Sequence, residues 1–256
     1  PGIDANTISK ISTGKIDSKF GLPKSDFLKL CKNSRKFKNL KIKAISVHIG
    51  SQITSVGPYK KTLSFLYRTI KSSKINFEYV DLGGGFGIPY QNKEKKINMK
   101  NYSSLVKNFQ KKLNCEIIFE PGRFIVGNAG TLISKIIFIK KNSKKHFVII
   151  DAGMNDFMRP ALYNAKHNII PVLKSKNRIN GNVEFVGPIC ESTDTFLKYR
   201  NFSSVSENGL VAITNVGAYG STLSSNYNTR PLVAEILLKR GRVRIIRKRQ
   251  KISEII

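Results

Sequence analysis

Two rhythms of apolar residues divide this chain. Up to about Asn128, short apolar runs alternate with longer amphipathic ones, the pattern of strand–helix repeats laid around a parallel sheet. Strands read at Ile42 to Ile49, Phe77 to Leu82 and Glu116 to Glu120. Helices read at Ser25 to Ser34, Tyr59 to Ser72 and Tyr102 to Leu113. In the second helix Leu63, Leu66, Tyr67 and Ile70 recur at three and four residues, as one buried face requires. Ser25 before Asp26, and Gly57-Pro58 before Tyr59, are helix-start signals. From about Ala129 the runs become β-type: Thr131 to Ile139, Lys145 to Ile150, Val183 to Phe185, Leu210 to Thr214, Leu232 to Leu238 and Arg242 to Ile246, separated by Gly, Asn and Ser turns. The pattern predicts a partial (β/α) unit over residues 1–128 and an antiparallel β domain over 129–256.

Each strand–helix repeat carries a polar or glycine-rich motif just after its strand. The first is His48-Ile49-Gly50-Ser51-Gln52, the second Val80-Asp81-Leu82-Gly83-Gly84-Gly85-Phe86-Gly87, the third Glu120-Pro121-Gly122-Arg123. In a parallel α/β barrel these positions converge on one rim, where active sites sit. Glycines admit backbone N–H groups close to an anion, so a strand ending in three of them is a natural phosphate cradle. A carboxylate and a guanidinium at the neighbouring strand end add polar groups to the same rim. Together they point to a phosphorylated cofactor. Three or four repeats cannot close an eight-stranded barrel, and this reading places roughly half of the barrel upstream of Pro1.

Composition changes this picture little. The net charge of +29 invites a nucleic-acid reading, but the lysines are spread along the whole chain. Only Lys239 to Arg249 concentrates charge, alternating with apolar residues as a half-exposed strand does. A solvated strand face is the expectation there, with no specific nucleic-acid partner. The apolar runs Ile136-Ile137-Phe138-Ile139 and Phe147-Val148-Ile149-Ile150 are far shorter than the roughly 20 residues a membrane-spanning helix needs, so no membrane partner is expected. Cys31, Cys115 and Cys190 form no close pair and do not space like zinc ligands. Their pattern suits a reducing cytoplasm, without a bound metal. The chain opens on Pro1, with no initiator Met and no charged-then-apolar leader, which predicts a missing N-terminus.

Three further segments complete the set: Asp151-Ala152-Gly153-Met154-Asn155-Asp156 with Arg159-Pro160-Ala161-Leu162-Tyr163, Gly187-Pro188-Ile189-Cys190-Glu191-Ser192, and Gly217-Ala218-Tyr219-Gly220 through Asn226-Tyr227-Asn228 to Arg230-Pro231. In this order, and running nearly to the last residue, the motifs resemble the diaminopimelate decarboxylases. The resemblance implies the alanine-racemase-like class of pyridoxal-phosphate enzymes: the C-terminal part of a (β/α)8 barrel followed by an antiparallel β-barrel domain. It implies loss of carbon dioxide from the D-centre of meso-2,6-diaminopimelate to give L-lysine, the pyridine ring serving as electron sink. Glu120 is then expected to pair with the ring nitrogen and His48 to stack on the ring face. Ser51, Gly83, Gly84, Gly85 and the backbone of Pro121 and Gly122 are expected to hold the phosphate, with Tyr219 reaching the phosphate and the substrate. Arg123, Arg159 and Tyr163 are expected to bind substrate carboxylate, with Arg123 also among the cofactor-binding residues. The planar guanidinium fork suits a carboxylate. Cys190 is implied as proton donor and Glu191 as contact for the distal amine. Both are implied to act across a homodimer interface.

Taken singly, these residues have commonplace roles: a hydrogen-bonded rim histidine, a solvated glutamate, ordinary glycine turns, a packed tyrosine, salt-bridged arginines, a buried cysteine. Six ordered segments favour the cofactor and substrate roles, and Cys31 and Cys115, outside any motif, keep the buried one. One departure stands out. The family holds its cofactor as a Schiff base on a lysine within a segment close to Tyr-Ala-Val-Lys-Ala-Asn, and no such segment occurs here. The expectation is a C-terminal portion that does not catalyse alone, and that aggregates where apolar faces lack their cover. Two alternatives stay open: another basic amino-acid or carboxynorspermidine decarboxylase of the same fold, and a catalytically silent homologue that regulates an active partner.

Overall fold

The computed structural model describes all residues except 6, 8, 16, 17, 92 and 93, and the chain divides into two units, Pro1–Ile125 and Val126–Ile256. The division falls three residues before the 128/129 boundary read from the sequence.

In the first unit, strands β1 (Ala44–Ser46), β2 (Tyr79–Asp81) and β3 (Glu116–Ile118) form one parallel sheet in that order. Helices α1 (Lys24–Lys32), α2 (Gly57–Ser73) and α3 (Met99–Leu113) provide the amphipathic partners. The strands are shorter than the apolar runs suggested, because regular pairing ends at Ser46, Asp81 and Ile118 and only single backbone hydrogen bonds continue into the motifs. Pro58 in the first turn of α2 needs no hydrogen-bond donor there. Asn98 caps α3 by accepting from the Asn101 N–H at 3.0 Å. Leu66 and Ile70 of α2, Val106 and Phe109 of α3, and Val80 of β2 share one core. The open edge of β1 borders a cleft of about 1190 Å³ lined by Phe27, Leu30, Ile45, Phe65 and Leu66, with Phe20 and Leu22 exposed at its margin.

The short helix α4 (Arg123–Val126) ends at the boundary. Beyond it, β4 (Thr131–Lys141), β5 (His146–Ile150), β6 (Ile169–Pro171), β7 (Arg178–Val186), β8 (Thr195–Ser203) and β9 (Leu210–Thr214) form a sheet ordered β6-β9-β4-β5-β7-β8. The domain is not wholly antiparallel as expected, since β5 and β7 pair in parallel. The physical reason is the connection: between them lie helix α5 (Arg159–Tyr163) and β6, a crossover long enough to bring the chain back in the same direction. Long β4 pairs with β9 through Lys135 and with β5 from Ile136 onward, and its register shifts between Ile136 and Phe138, the kind of irregularity that lets one strand turn a barrel corner. Ile136, Val148, Phe185, Val211 and Ile213 fill the interior.

The barrel is nearly closed by one side chain. The Tyr199 hydroxyl on β8 donates to the Ile169 carbonyl at 3.1 Å and accepts from the Ile169 N–H at 2.7 Å, joining the two edge strands. Burial pushes the Tyr199 hydroxyl pKa up, so the group keeps its proton. Removing this hydroxyl with Tyr199→Phe orphans both groups of Ile169 and is expected to cost about 1–3 kcal/mol, read as a lower urea midpoint. An unchanged midpoint would show that the bridge contributes nothing.

The basic tail forms a separate hairpin of β10 (Glu235–Lys239) and β11 (Arg242–Arg247). Arg240 and Gly241 both take positive φ, +50° and +75°, the two-residue turn that matches strand twist. The strand and its solvated face are as expected, and the exposure extends beyond one face, since Leu238 and Val243 are exposed along with the arginines. Both faces of the hairpin are exposed along most of its length. Among the described residues no helix is long and apolar enough to cross a membrane.

Candidate active site

In the first unit the sheet register sets the site. Ser46 pairs with Asp81, and Asp81 with Ile118, so His48, Gly83 and Glu120 each lie two residues beyond one shared level. The ladder carries on through the motifs: the Val47 N–H donates to Asp81 O, Leu82 N–H to Ile118 O and Glu120 N–H to Gly83 O, at 2.9–3.0 Å. Asp81 braces the turn, accepting from the Gly83 N–H at 2.8 Å and the Ser46 hydroxyl at 3.0 Å.

The three glycines are required by backbone packing. A Cβ on Gly84 would stand 2.1 Å from Glu120 O, one on Gly85 2.2 Å from Gly50 O, and one on Gly83 2.6 Å from Val47 O. Gly83 and Gly85 also take φ of +63° and +89°, which side chains resist. Three strand-end loops are thereby drawn to backbone contact. Ile53 N–H donates to Gly85 O, and Gly87 N–H to Ile53 O, both at 2.9 Å, stitching the His48 loop to the glycine loop. The Gly84 N–H donates to His48 Nδ1 at 3.4 Å, which leaves the proton of a neutral ring on Nε2.

Arg123 is buried and donates to the Tyr90 hydroxyl and, at 3.0 Å, to Ser51 Oγ. Ser51 accepts this bond and keeps its own O–H to donate. His48, Glu120 and Gly122 are exposed at the rim, with Ser51 and Pro121 half-buried. This rim gathers His48, Ser51, Gly83, Gly84, Gly85, Glu120, Pro121, Gly122 and Arg123. The sequence reading passed over Tyr90 and Tyr59. The buried Tyr59 hydroxyl donates to Gly84 O at 3.2 Å and fixes the glycine turn, and burial raises its pKa. Its place among helical apolar residues made it look like core alone.

The second unit carries the other residues on its loops and on α5. Cys190 and Glu191 lie exposed on the loop between β7 and β8. Glu191 accepts from the Tyr227 hydroxyl and, at 3.1 Å, from Thr193 Oγ1, and the first of these hydrogen bonds, with the carboxylate charge behind it, raises the Tyr227 pKa. Asn228 Nδ2 lies 3.9 Å from Cys190 Sγ. Arg230 reaches back to the loop after β5, donating to Asn155 Oδ1 at 3.1 Å and to Asp151 O at 2.5 Å. Arg159 and Tyr163 share α5, the guanidinium 5.9 Å from the ring centroid. Buried Arg159 donates through Nε to His167 Nε2 at 3.2 Å, and His167 Nδ1 lies 3.0 Å from Thr214 O. A carbonyl can only accept, so Nδ1 carries the proton and Nε2 is the acceptor. Tyr219 is exposed at a φ of +57°. His167 was missed because it stands outside every motif, whereas Tyr227, Asn228 and Arg230 were quoted in a motif without a role.

A ring of strand-end loops at backbone contact, with a carboxylate, an imidazole and a serine hydroxyl on its rim, fits a phosphorylated aromatic cofactor. The family model described as "Pyridoxal-dependent decarboxylase, C-terminal sheet domain" matches residues 16–217. The chain belongs to this family. Its pyridoxal dependence bears out the cofactor expected from the motifs. Among individual proteins, the chain is similar to the diaminopimelate decarboxylases of Zymomonas mobilis and Aquifex aeolicus, each 40% identical over 259 aligned residues that cover 100% of this chain and 61% of the relative. It also resembles the crystal structure of diaminopimelate decarboxylase from Helicobacter pylori complexed with L-lysine, with a TM-score of 0.92 and 38% identity, over 100% of this chain and 64% of that one. The chain thus spans a little over three fifths of the length of these relatives.

Proposed function

We propose that this chain is the greater part of a diaminopimelate decarboxylase, a carboxy-lyase that converts meso-2,6-diaminopimelate to L-lysine and carbon dioxide. The observation that carries the reading is the common level of His48, Gly83 and Glu120 across the parallel ladder. It brings these three positions side by side, and on this reading they serve the ring face, the phosphate and the pyridine nitrogen. On this reading the parallel strands belong to a (β/α)8 barrel and the six-stranded sheet is the β-barrel domain. The enzyme works in the cytoplasm as a homodimer.

Pyridoxal phosphate, once bound, supplies the electron sink for the pair left behind by the departing carboxylate. Glu120 holds a proton at the pyridine nitrogen by its negative charge, and His48 covers the ring face. The glycine run Gly83, Gly84 and Gly85 leaves the phosphate room free of side chains, the backbone N–H groups of Gly85 and Gly122 would donate to it, and Ser51, already held by Arg123, would donate its hydroxyl. Arg159, aimed by His167, and Tyr163 take a substrate carboxylate. Glu191 receives the distal ammonium. Cys190 delivers the proton to the carbon that has lost carbon dioxide.

The test uses the enzyme completed with the portion of the Helicobacter pylori relative that this chain does not span. It is expected to release carbon dioxide from meso-diaminopimelate with a kcat/KM at least about a hundredfold above that for ornithine or carboxynorspermidine, whose missing groups leave polar partners unpaired. Preference for either of those substrates would overturn the assignment. Cofactor binding without turnover of any of them would favour the silent regulatory homologue.

A further inference from the structure

The loop that carries Cys190 and Glu191 is exposed, yet its backbone is tied down from beneath by one buried carboxylate. Asp194 is 2% exposed. Its Oδ2 accepts from the Ile189 N–H at 2.7 Å, immediately before Cys190, and its Oδ1 accepts from the Met154 N–H at 2.7 Å. Its own backbone closes the same loop: the Gly187 N–H donates to Asp194 O at 2.9 Å, and the Asp194 N–H donates to Glu191 O at 3.0 Å. A Cβ on Gly187 would lie 2.2 Å from Oδ2, so the glycine leaves room for the carboxylate. Met154 belongs to the loop that leads into Arg159 and Tyr163.

We propose that Asp194 is a positioning residue, fixing the Cys190–Glu191 loop to the Met154 loop so that the thiol is presented in one orientation; this role in catalysis rests on the decarboxylase reading. Two divergent N–H donors need two acceptor oxygens on one rigid group. Only a carboxylate supplies both. Burial pushes the Asp194 carboxyl pKa up, and the Ile189 and Met154 N–H groups oppose this by favouring the anion. An asparagine of the same shape keeps one acceptor and turns N–H against N–H at the other.

The test compares Asp194→Asn with the parent in the completed enzyme, by two readouts. Without substrate, alkylation of Cys190 by iodoacetamide is expected to change in rate by at least about threefold, since side-chain setting controls thiol reactivity. With substrate, kcat is expected to fall by about tenfold to a hundredfold, the scale of an ångström-sized misplacement, with cofactor absorbance retained. In a Cys190→Ala background the same substitution is expected to lower kcat by less than about twofold, the non-additivity of two residues acting as a unit. An unchanged alkylation rate, or equal losses in both backgrounds, would overturn the proposal. Should Asp194→Asn fail to fold, Asp194→Glu, which keeps both oxygens but moves them by one methylene, is judged by the same two criteria. An enzyme that alkylates as expected but decarboxylates none of the substrates would sink the functional reading and leave the loop anchor standing.

Discussion

Replacing Cys190 with alanine in the completed enzyme is expected to lower turnover by about two to four orders of magnitude, the usual contribution of a positioned general acid. Cofactor absorbance and stability are expected to hold. The thiol is exposed, with Asn228 Nδ2 at 3.9 Å, so its loss removes no core packing and changes stability by about 0.5 kcal/mol or less. The backbone of the loop is held by Asp194 rather than by the cysteine. The other two thiols give an internal control. Cys31 and Cys115 are buried in the core of the first unit, and burial raises the pKa of both. Iodoacetamide should therefore modify Cys190 first, and loss of activity should track that single modification. Unchanged turnover in the alanine variant would remove Cys190 from the mechanism, and inactivation that tracked Cys31 or Cys115 would relocate the sensitive thiol.

The distinction among the three cysteines was legible in the sequence, because Cys190 stands in a motif and the other two stand outside any motif. The same is true of some of the strands. Leu210 to Thr214 was read to the residue, since a short β-branched run between a glycine and an asparagine has no helical alternative. Strand β8 was missed although Phe196 and Phe202 are buried along it. Lys198 and Arg200 interrupt the alternation, and the neighbouring motif drew the segment into a loop. Strand β6 is only three residues long and ends in Pro171, a residue that ordinarily argues against a strand and is accepted here on the sheet edge. The parallel pairing of β5 with β7 depends on where a crossover lands, which no local pattern records. The rim residues were legible because their motifs stand at the ends of successive apolar runs. Their supports were not: Tyr59, His167 and Asp194 act from buried positions, and a buried polar side chain looks in sequence like any other residue of its element.

The glycine run was read as a gap for an anion, and the structure gives it a second reason that yields the most severe test. Gly84→Ala places a methyl group 2.1 Å from the Glu120 carbonyl oxygen, a backbone atom that cannot turn away as a side chain can. Overpacking of this kind costs about 1–3 kcal/mol where a core can yield. Here yielding means parting the glycine loop from the Glu120 loop, whose Glu120 N–H donates to Gly83 O at 2.9 Å. The variant is expected to lose at least about 2 kcal/mol of stability and to lose cofactor binding with it, read as a lower melting temperature and missing cofactor absorbance. Gly122 supplies the contrast, since a Cβ there meets nothing within 4 Å and the residue is free of positive φ. Gly122→Ala should therefore melt like the parent. Any loss of cofactor affinity in that variant then measures the approach of the phosphate to Gly122 alone. If Gly84→Ala keeps both its melting temperature and its cofactor, the loops are not locked together at Glu120, and the shared level of His48, Gly83 and Glu120 loses its claim to organise the site.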